Sequence, residues 1–295
     1  MANLKDIRIR MASVESTQKI TSAMKMVSAA KLRRAQNTIL KLRPYANEMS
    51  AILADLLATQ SDGAANPLEE SRAPENVVIV AVTSNKGLCG GFNNNVLKRM
   101  EAVLATDYRR QMAEGKVRFI GIGKKAVEYL QRKKYPLMEV HDTILDACTF
   151  KEASEIAERL MQQFVRKEID RVDIVYNKFK NAATQILINE QYLPIRFETG
   201  RTEGSASVRD FIFEPSREEL YQRLVPSMTK MRFYQSLLES IAAEHGARMT
   251  AMHKATENAS ELTKQLNLTY NKLRQAAITN ELIEMVSGAE SLKNA

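Results

Sequence analysis

Residues 252–288 read MHKATENASELTKQLNLTYNKLRQAAITNELIEMVSG, and the spacing of their apolar positions decides the architecture. Met252, Ala255, Ala259, Leu262, Leu266, Thr269, Leu273 and Ala276 recur at alternating steps of three and four. That period belongs to a helix that winds left-handedly around another. The helical run begins well upstream. Ser216 followed by Glu219 is a capping-box sequence, hydroxyl and carboxylate satisfying opposite amides at a helix start. Pro226 falls in the early turns, where a kink is expected. After it only Gly246 interrupts the run before Gly288. Sixty residues of helix span about 90 Å. That exceeds the diameter of any domain this chain can build, so much of the helix needs company outside its own core.

The company begins at the other end of the chain. Residues 1–43 hold neither Gly nor Pro, and Pro44 is the first breaker. Leu4, Ile7, Met11 and Val14 follow a 3-4-3 spacing. Ile20, Ala23, Val27 and Ala30 repeat it after a phase shift. Two such seams at opposite ends of one chain, with a domain between, imply an antiparallel pair. Many seam residues are Ala, Met or Thr, which allow close axes but bury little area, so a thin rod of modest intrinsic stability is expected.

Charge is placed as unevenly as hydrophobicity. The 295 residues carry a net charge of +8. Residues 1–43 hold ten basic side chains against two acids, and the remainder is balanced. A basic helix suits an acidic partner, whether nucleic acid, anionic lipid or acidic protein loops, and a solvated helix face is the bland alternative. Aromatics are sparse at 6%, Trp is absent and Met numbers 14, which fits narrow helical seams better than one large core. Cys89 and Cys148 make no disulfide framework. No uncharged apolar stretch is long enough to cross a membrane. The N-terminus lacks a secretory core. It is amphipathic and Arg-rich like a transit peptide, but its seam runs on without a cleavage-like break.

Between the arms, strands and helices alternate. Val77–Val82 is a continuous apolar run suited to a strand buried on both faces. Thr83 to Gly91 is a turn, and Phe92 to Leu104 a helix. Lys116 to Gly123, Met138 to Ile144 and Val172 to Phe179 read as strands, with helices at Lys124–Lys133 and Phe150–Ile169. Thr184–Asn189 and Leu193–Phe197 read as strands of an antiparallel addition. Ser61–Asn76 reads as a linker, Arg201–Val208 as a polar loop. The expected organisation is an N-terminal coiled-coil helix over 1–60, a mostly parallel, Rossmann-like α/β domain over 75–212, and a C-terminal coiled-coil helix over 216–295.

A parallel sheet invites a nucleotide-binding reading, which the glycines do not support. Gly87, Gly90 and Gly91 follow the first strand, but the spacing is neither that of Walker A nor Gly-x-Gly-x-x-Gly. They suit a tight strand-to-helix turn. His141, His245 and His253 are scattered, and the two on the long helix sit eight apart, where a metal pair wants three or four. No catalytic, cofactor-binding or metal-binding constellation is read from the residues.

Three separated motifs carry a resemblance. They are Lys5-Asp6-Ile7-Arg8 with Thr17-Gln18-Lys19-Ile20-Thr21 and Ala23-Met24-Lys25-Met26-Val27; Gly87-Leu88-Cys89-Gly90-Gly91-Phe92-Asn93; and Ile278 to Ala289, preceded by Tyr270 to Gln275. In this order they closely resemble the gamma subunit of F-type ATP synthase. The family commonly has Ser-Asp-Arg where this chain has Ser84-Asn85-Lys86, so the cation is kept and the acid lost. The chloroplast-type regulatory cysteine insertion is also missing. The resemblance implies a non-catalytic central shaft that couples proton flow to ATP synthesis. Its implied partners are the alpha and beta subunits of the catalytic hexamer, the epsilon subunit and the membrane ring of c subunits. The implied location is the cytoplasmic face of a bacterial inner membrane, reached through those partners. It further implies partner contacts at Met24, Lys31, Arg33, Arg34, Lys86, Arg274, Gln275, Thr279, Glu281, Glu284 and Gly288. The alternatives are a basic helical nucleic-acid-binding protein, which would lack aromatic platforms and zinc ligands, and a small-molecule α/β enzyme, which would lack a site.

Overall fold

The computed structural model describes residues 4–58, 66–196, 214 and 216–293, with side chains of 57–58 and 290–293 excepted. Two long helices, α1 (Leu4–Ala58) and α6 (Arg217–Lys293), bracket a five-stranded sheet. By contacts the chain divides into two compact units, residues 1–28 with 249–295, and residues 29–248.

In the first unit α1 and α6 run antiparallel. Arg8 Nη2 donates to Tyr270 Oη at 2.9 Å, Thr256 Oγ1 meets Thr21 Oγ1 at 2.8 Å, and Lys25 Nζ lies 3.4 Å from His253 Nδ1. As one residue number rises its partner's falls by nearly the same amount, which only antiparallel helices produce. The seam is not where apolarity alone puts it. On α1 the covered positions continue from Leu4, Ile7, Met11 and Val14 to Gln18, Thr21, Lys25 and Ser28, without a phase shift. The expected second set is on the outside: Ile20 and Val27 are each 57% exposed, and Ala23 and Ala30 are exposed too. On α6, Met252, Ala259 and Leu266 are buried as expected, but Thr269 and Ala276 are exposed, while Tyr270 and Ala277 one step on are half-buried. The physical reason is back-bonding. Thr21 donates to the Gln18 carbonyl, Ser28 to Met24 and Thr263 to Ala259, so small hydroxyl residues enter the interface with their polar atoms satisfied.

In the second unit the strands are β1 (Val77–Val82), β2 (Val117–Ile122), β3 (Leu137–His141), β4 (Arg171–Phe179) and β5 (Gln185–Leu193), in the order β3-β2-β1-β4-β5. All neighbours are parallel except β4 and β5. β1 is central and buried on both faces. Val78, Val80 and Val82 face α5 (Phe150–Val165) and the early turns of α6, with Phe164, Tyr192 and Phe233. Val77, Ile79 and Ala81 face α2 (Phe92–Thr106) and α4 (Lys124–Arg132), with Met100, Phe119 and Leu130. Each fully buried large side chain contributes about 1.5–3 kcal/mol, so two apolar faces on one strand make it the centre of the unit.

Several boundaries differ from the sequence reading. The antiparallel addition is one strand, not two. Asn189, Glu190 and Gln191 look like a break, but β5 is an edge strand, and Glu190 is engaged by Tyr176 and Arg232. Phe197, with Arg201–Val208, lies outside the described residues. The linker's second half is packed: Leu68 in the 3-10 turn Pro67–Glu69 is buried, and Asn66 caps that turn and donates to Gln222 at 3.0 Å. The full capping box belongs to α5, through Thr149 and Glu152. At α6, Ser216 Oγ does accept from the Glu219 amide at 3.2 Å, while the Glu219 carboxylate binds Arg223 one turn on. Neither Pro44 nor Pro226 ends its helix. Gly246 is helical because β4 and β5 approach it closely: a Cβ there would sit 3.3 Å from Ala182 Cα.

Candidate interaction surface

The exposed surface with most to explain is the end of α6. Arg8 and Tyr270, paired by hydrogen bond and cation–π contact, lie near the start of α1. Beyond them α6 has little left of α1 to pack on. Arg274, Gln275, Thr279, Glu281, Glu284 and Gly288 are all exposed. So are Ile278, Leu282, Ile283, Met285 and Val286, Met285 by 63%. At about 100° per residue, these apolar side chains share one side of the helix with Arg274, Gln275 and Thr279. Glu281, Glu284 and Gly288 occupy the other side. Thr279 Oγ1 donates to the Gln275 carbonyl at 2.9 Å, leaving the Gln275 amide open at the surface. Arg offers a planar fork of donors and Gln both donates and accepts, so this face combines apolar area with reversible polar contacts.

Lys31, Arg33 and Arg34 of α1 are exposed. On a helix Lys31 and Arg34 lie on one side and Arg33 points away from both, so the structure brings two of the three together. Met24 is half-buried. Lys31 also bears on α6. It lies near Glu244 and His245, and with burial and Arg248 it pushes the His245 imidazole down to about 4.

The turn after β1 presents Lys86 and Leu88. Leu88 is 64% exposed at φ 63°, a left-handed conformation at the tip of the turn. Beneath it Ser84, Cys89 and Asn93 form a closed network. Ser84 Oγ donates to the Lys86 carbonyl at 2.6 Å, and Asn93 Nδ2 reaches Ser84 Oγ and Cys89 Sγ. From α6, Arg248 Nη2 donates to the carbonyls of Lys86 at 2.9 Å and Gly87 at 3.3 Å, while its Nη1 binds Glu244 at 2.5 Å. Burial pushes the Glu244 carboxyl up, against the pull of Arg248. The sequence reading missed this pair. Its signal was a Glu and an Arg four apart in a stretch otherwise rich in small residues.

Among the described residues no group of three or more His, Cys, Asp or Glu could hold a metal ion, and no helix is long and apolar enough to cross a membrane. Cys148 is half-buried, and burial pushes its thiol up to about 12.

The family model described as ATP synthase matches residues 3–292. A protein named ATP synthase gamma chain from Cytophaga hutchinsonii is 48% identical over 295 residues, covering 100% of both chains. One of the same name from Christiangramia forsetii is 49% identical over 292 residues, 99% of each. The chain belongs to the ATP synthase gamma family. A rotor chain of the Euglena gracilis mitochondrial ATP synthase matches at TM-score 0.63 and 21% identity, over 93% of this chain and 98% of that one. A second Euglena gracilis ATP synthase chain, from an OSCP/F1/c-ring structure, matches at TM-score 0.67 and 20% identity, over 98% and 94%. At that identity the likeness speaks for the fold: two long terminal helices around a mostly parallel α/β sheet. For a gamma-family chain the basic N-terminal helix needs no nucleic acid to account for it, and that reading has no support.

Proposed function

We propose that this chain is the central shaft of an F-type ATP synthase, and that it performs no chemistry of its own. In this reading the arms 1–60 and 216–295 form the rod and residues 75–212 the body. The rod enters the hexamer of alpha and beta subunits, and the body sits with epsilon on the ring of c subunits. The chain is peripheral to a bacterial inner membrane on its cytoplasmic side, and proton flow through the membrane sector turns it. The physical basis is differential contact. One asymmetric rod touches each beta subunit differently and so biases each toward a different conformation.

The observation that carries this reading is the end of α6, where five large apolar side chains between Ile278 and Val286 are exposed on a helix that has outrun its partner. A helix terminus meant for water would not need them; one meant for an apolar sleeve does. Arg274, Gln275 and Thr279 on the same side supply contacts that can form and break each cycle. Glu281, Glu284 and Gly288 face a second neighbour. Met24, Lys31, Arg33, Arg34 and Lys86 meet acidic loops lower down. Exposed ion pairs are worth about 0–1 kcal/mol each, so they tune coupling more than folding.

The test is Arg274→Ala with Gln275→Ala in the reconstituted complex. The expected result is assembly near wild-type level with multi-site ATP turnover lowered several-fold. Wild-type turnover from the assembled double variant refutes the assignment, and failure to assemble makes the pair structural.

A further inference from the structure

Three helix-to-strand turns lie along one edge of the sheet, where the parallel strands begin. Each closes with the same backbone device. Gly115, Lys134 and Lys167 have φ of 70°, 57° and 62°, and the next amides, Lys116, Tyr135 and Glu168, bond back to Gln111, Leu130 and Gln163. This is the left-handed helix end that glycine favours, because a Cβ is strained there. Two of the three positions nonetheless carry lysine. Each lysine follows another cation, Lys133 or Arg166.

The inner cations of this edge are already occupied. Arg110 and Lys116 pair with Glu75 and Glu114, Arg72 with Asp170, and Arg171 with Asp173. Arg109, Lys133, Lys134 and Arg166 are exposed and form no ion pair among the described residues. Lys167 reaches only the exposed Glu70, at 3.8 Å. Asp107 and Glu168 are the acids left over. Strands lie about 4.8 Å apart, and three spacings separate β3 from β4, so Lys134 and Lys167 are roughly 14 Å apart along the edge. The same edge adjoins the first turns of α6, where Tyr221 bonds Glu69 and Gln222 accepts from Asn66. The opposite edge meets Gly246 and Arg248, where this unit ends.

We propose that this basic edge is an electrostatic docking face for an anionic lipid headgroup surface, a contact separate from the partner contacts of the shaft. Lysines spread over separate turns present diffuse positive charge rather than a fork for one carboxylate. There is no platform for a nucleic-acid base: Tyr135 is stacked on Phe119, and Tyr129 and Tyr135 both donate to Glu101. A field of headgroup phosphates asks only for such charge.

The experiment uses the full chain and vesicles of phosphatidylcholine with and without phosphatidylglycerol. Binding is expected only with the anionic lipid and is expected to weaken as salt rises. Neutralising Lys133, Lys134, Arg166 and Lys167 to Gln should lower affinity by about tenfold or more, and the matched change of Lys31, Arg33 and Arg34 should lower it less. A second variant, Lys134→Gly with Lys167→Gly, separates the proposal from simple helix capping. Relief of left-handed strain should leave the thermal midpoint unchanged or higher while vesicle affinity falls. The proposal is overturned if the Gln variant binds like wild type, if the arm variant accounts for the whole loss, or if the Gly pair lowers the midpoint and leaves affinity unchanged. A Gln variant that keeps its vesicle affinity but fails to assemble with its partner subunits would assign the edge to an acidic protein instead.

Discussion

His245 shows how one side chain reports its surroundings. It is partly buried on α6 beside Arg248, with Lys31 of α1 nearby, and all three influences disfavour its charged form. Its value falls from 6.5 to about 4, so the folded state binds the proton later than the unfolded state does. Stability from this group is complete above pH 6.5 and is lost as pH falls toward 4. The loss is about 2 kcal/mol, discounted for partial exposure. Glu244, whose carboxyl is raised, works in the opposite direction, so the comparison that isolates the histidine is with His245→Gln. Urea denaturation at pH 7.5 and 4.5 should show the variant gaining about that amount relative to wild type on acidification. Parallel pH profiles would rule this out. Glu139 has the usual carboxylate sign: His141 and Arg159 hold it at about 2, so its contribution persists until strongly acid pH.

At the scale of the element, the α1–α6 seam is polar where a coiled coil is ordinarily greasy. Thr21 and Thr256 meet hydroxyl to hydroxyl, and Ser28 is 3% exposed. Each hydroxyl has a backbone carbonyl of its own helix within reach, so none depends on the partner for satisfaction. Thr21→Val with Thr256→Val removes both partners together and keeps the shape. It should therefore be neutral or stabilising by up to about 1 kcal/mol. Ser28→Leu forces a large side chain into a space sized for a small one and should cost about 1–3 kcal/mol. Denaturant midpoints of the two variants decide the matter, and a seam that tolerated Ser28→Leu would not be close-packed. Ile20 and Val27, by contrast, lie outside and leave an apolar stripe on α1 that folding does not use.

At the scale of the whole molecule, excess charge, exposed apolar surface and core sit in different places. The +8 lies within the first 43 residues, the core on the two faces of β1, and the longest exposed apolar run at the end of α6. Truncation after Leu273 removes only exposed or half-buried side chains among the described residues. It should leave the thermal midpoint within about 2–4 °C of wild type while abolishing coupled turnover in the assembled complex. A larger fall in midpoint would mean that the segment is held by its own chain. Much of this plan was legible in the sequence. Helix formers without Gly or Pro set the long helices, a six-residue apolar run set β1, and the Gly87–Gly91 cluster set its turn, because each depends on local propensity and period. Three motifs sufficed for the family. The tertiary structure alone decided which stripe of α1 is covered. Ile20, Ala23, Val27 and Ala30 keep as good a period as Thr21 and Ser28, and burial belongs to pairs of elements rather than to one. It also decided that Asn189–Gln191 continues a strand, through Tyr176 and Arg232, and that Arg248 reaches 162 residues back to hold the turn at Lys86. Contacts that distant leave no periodic trace in a sequence, since neither partner's neighbours register the other.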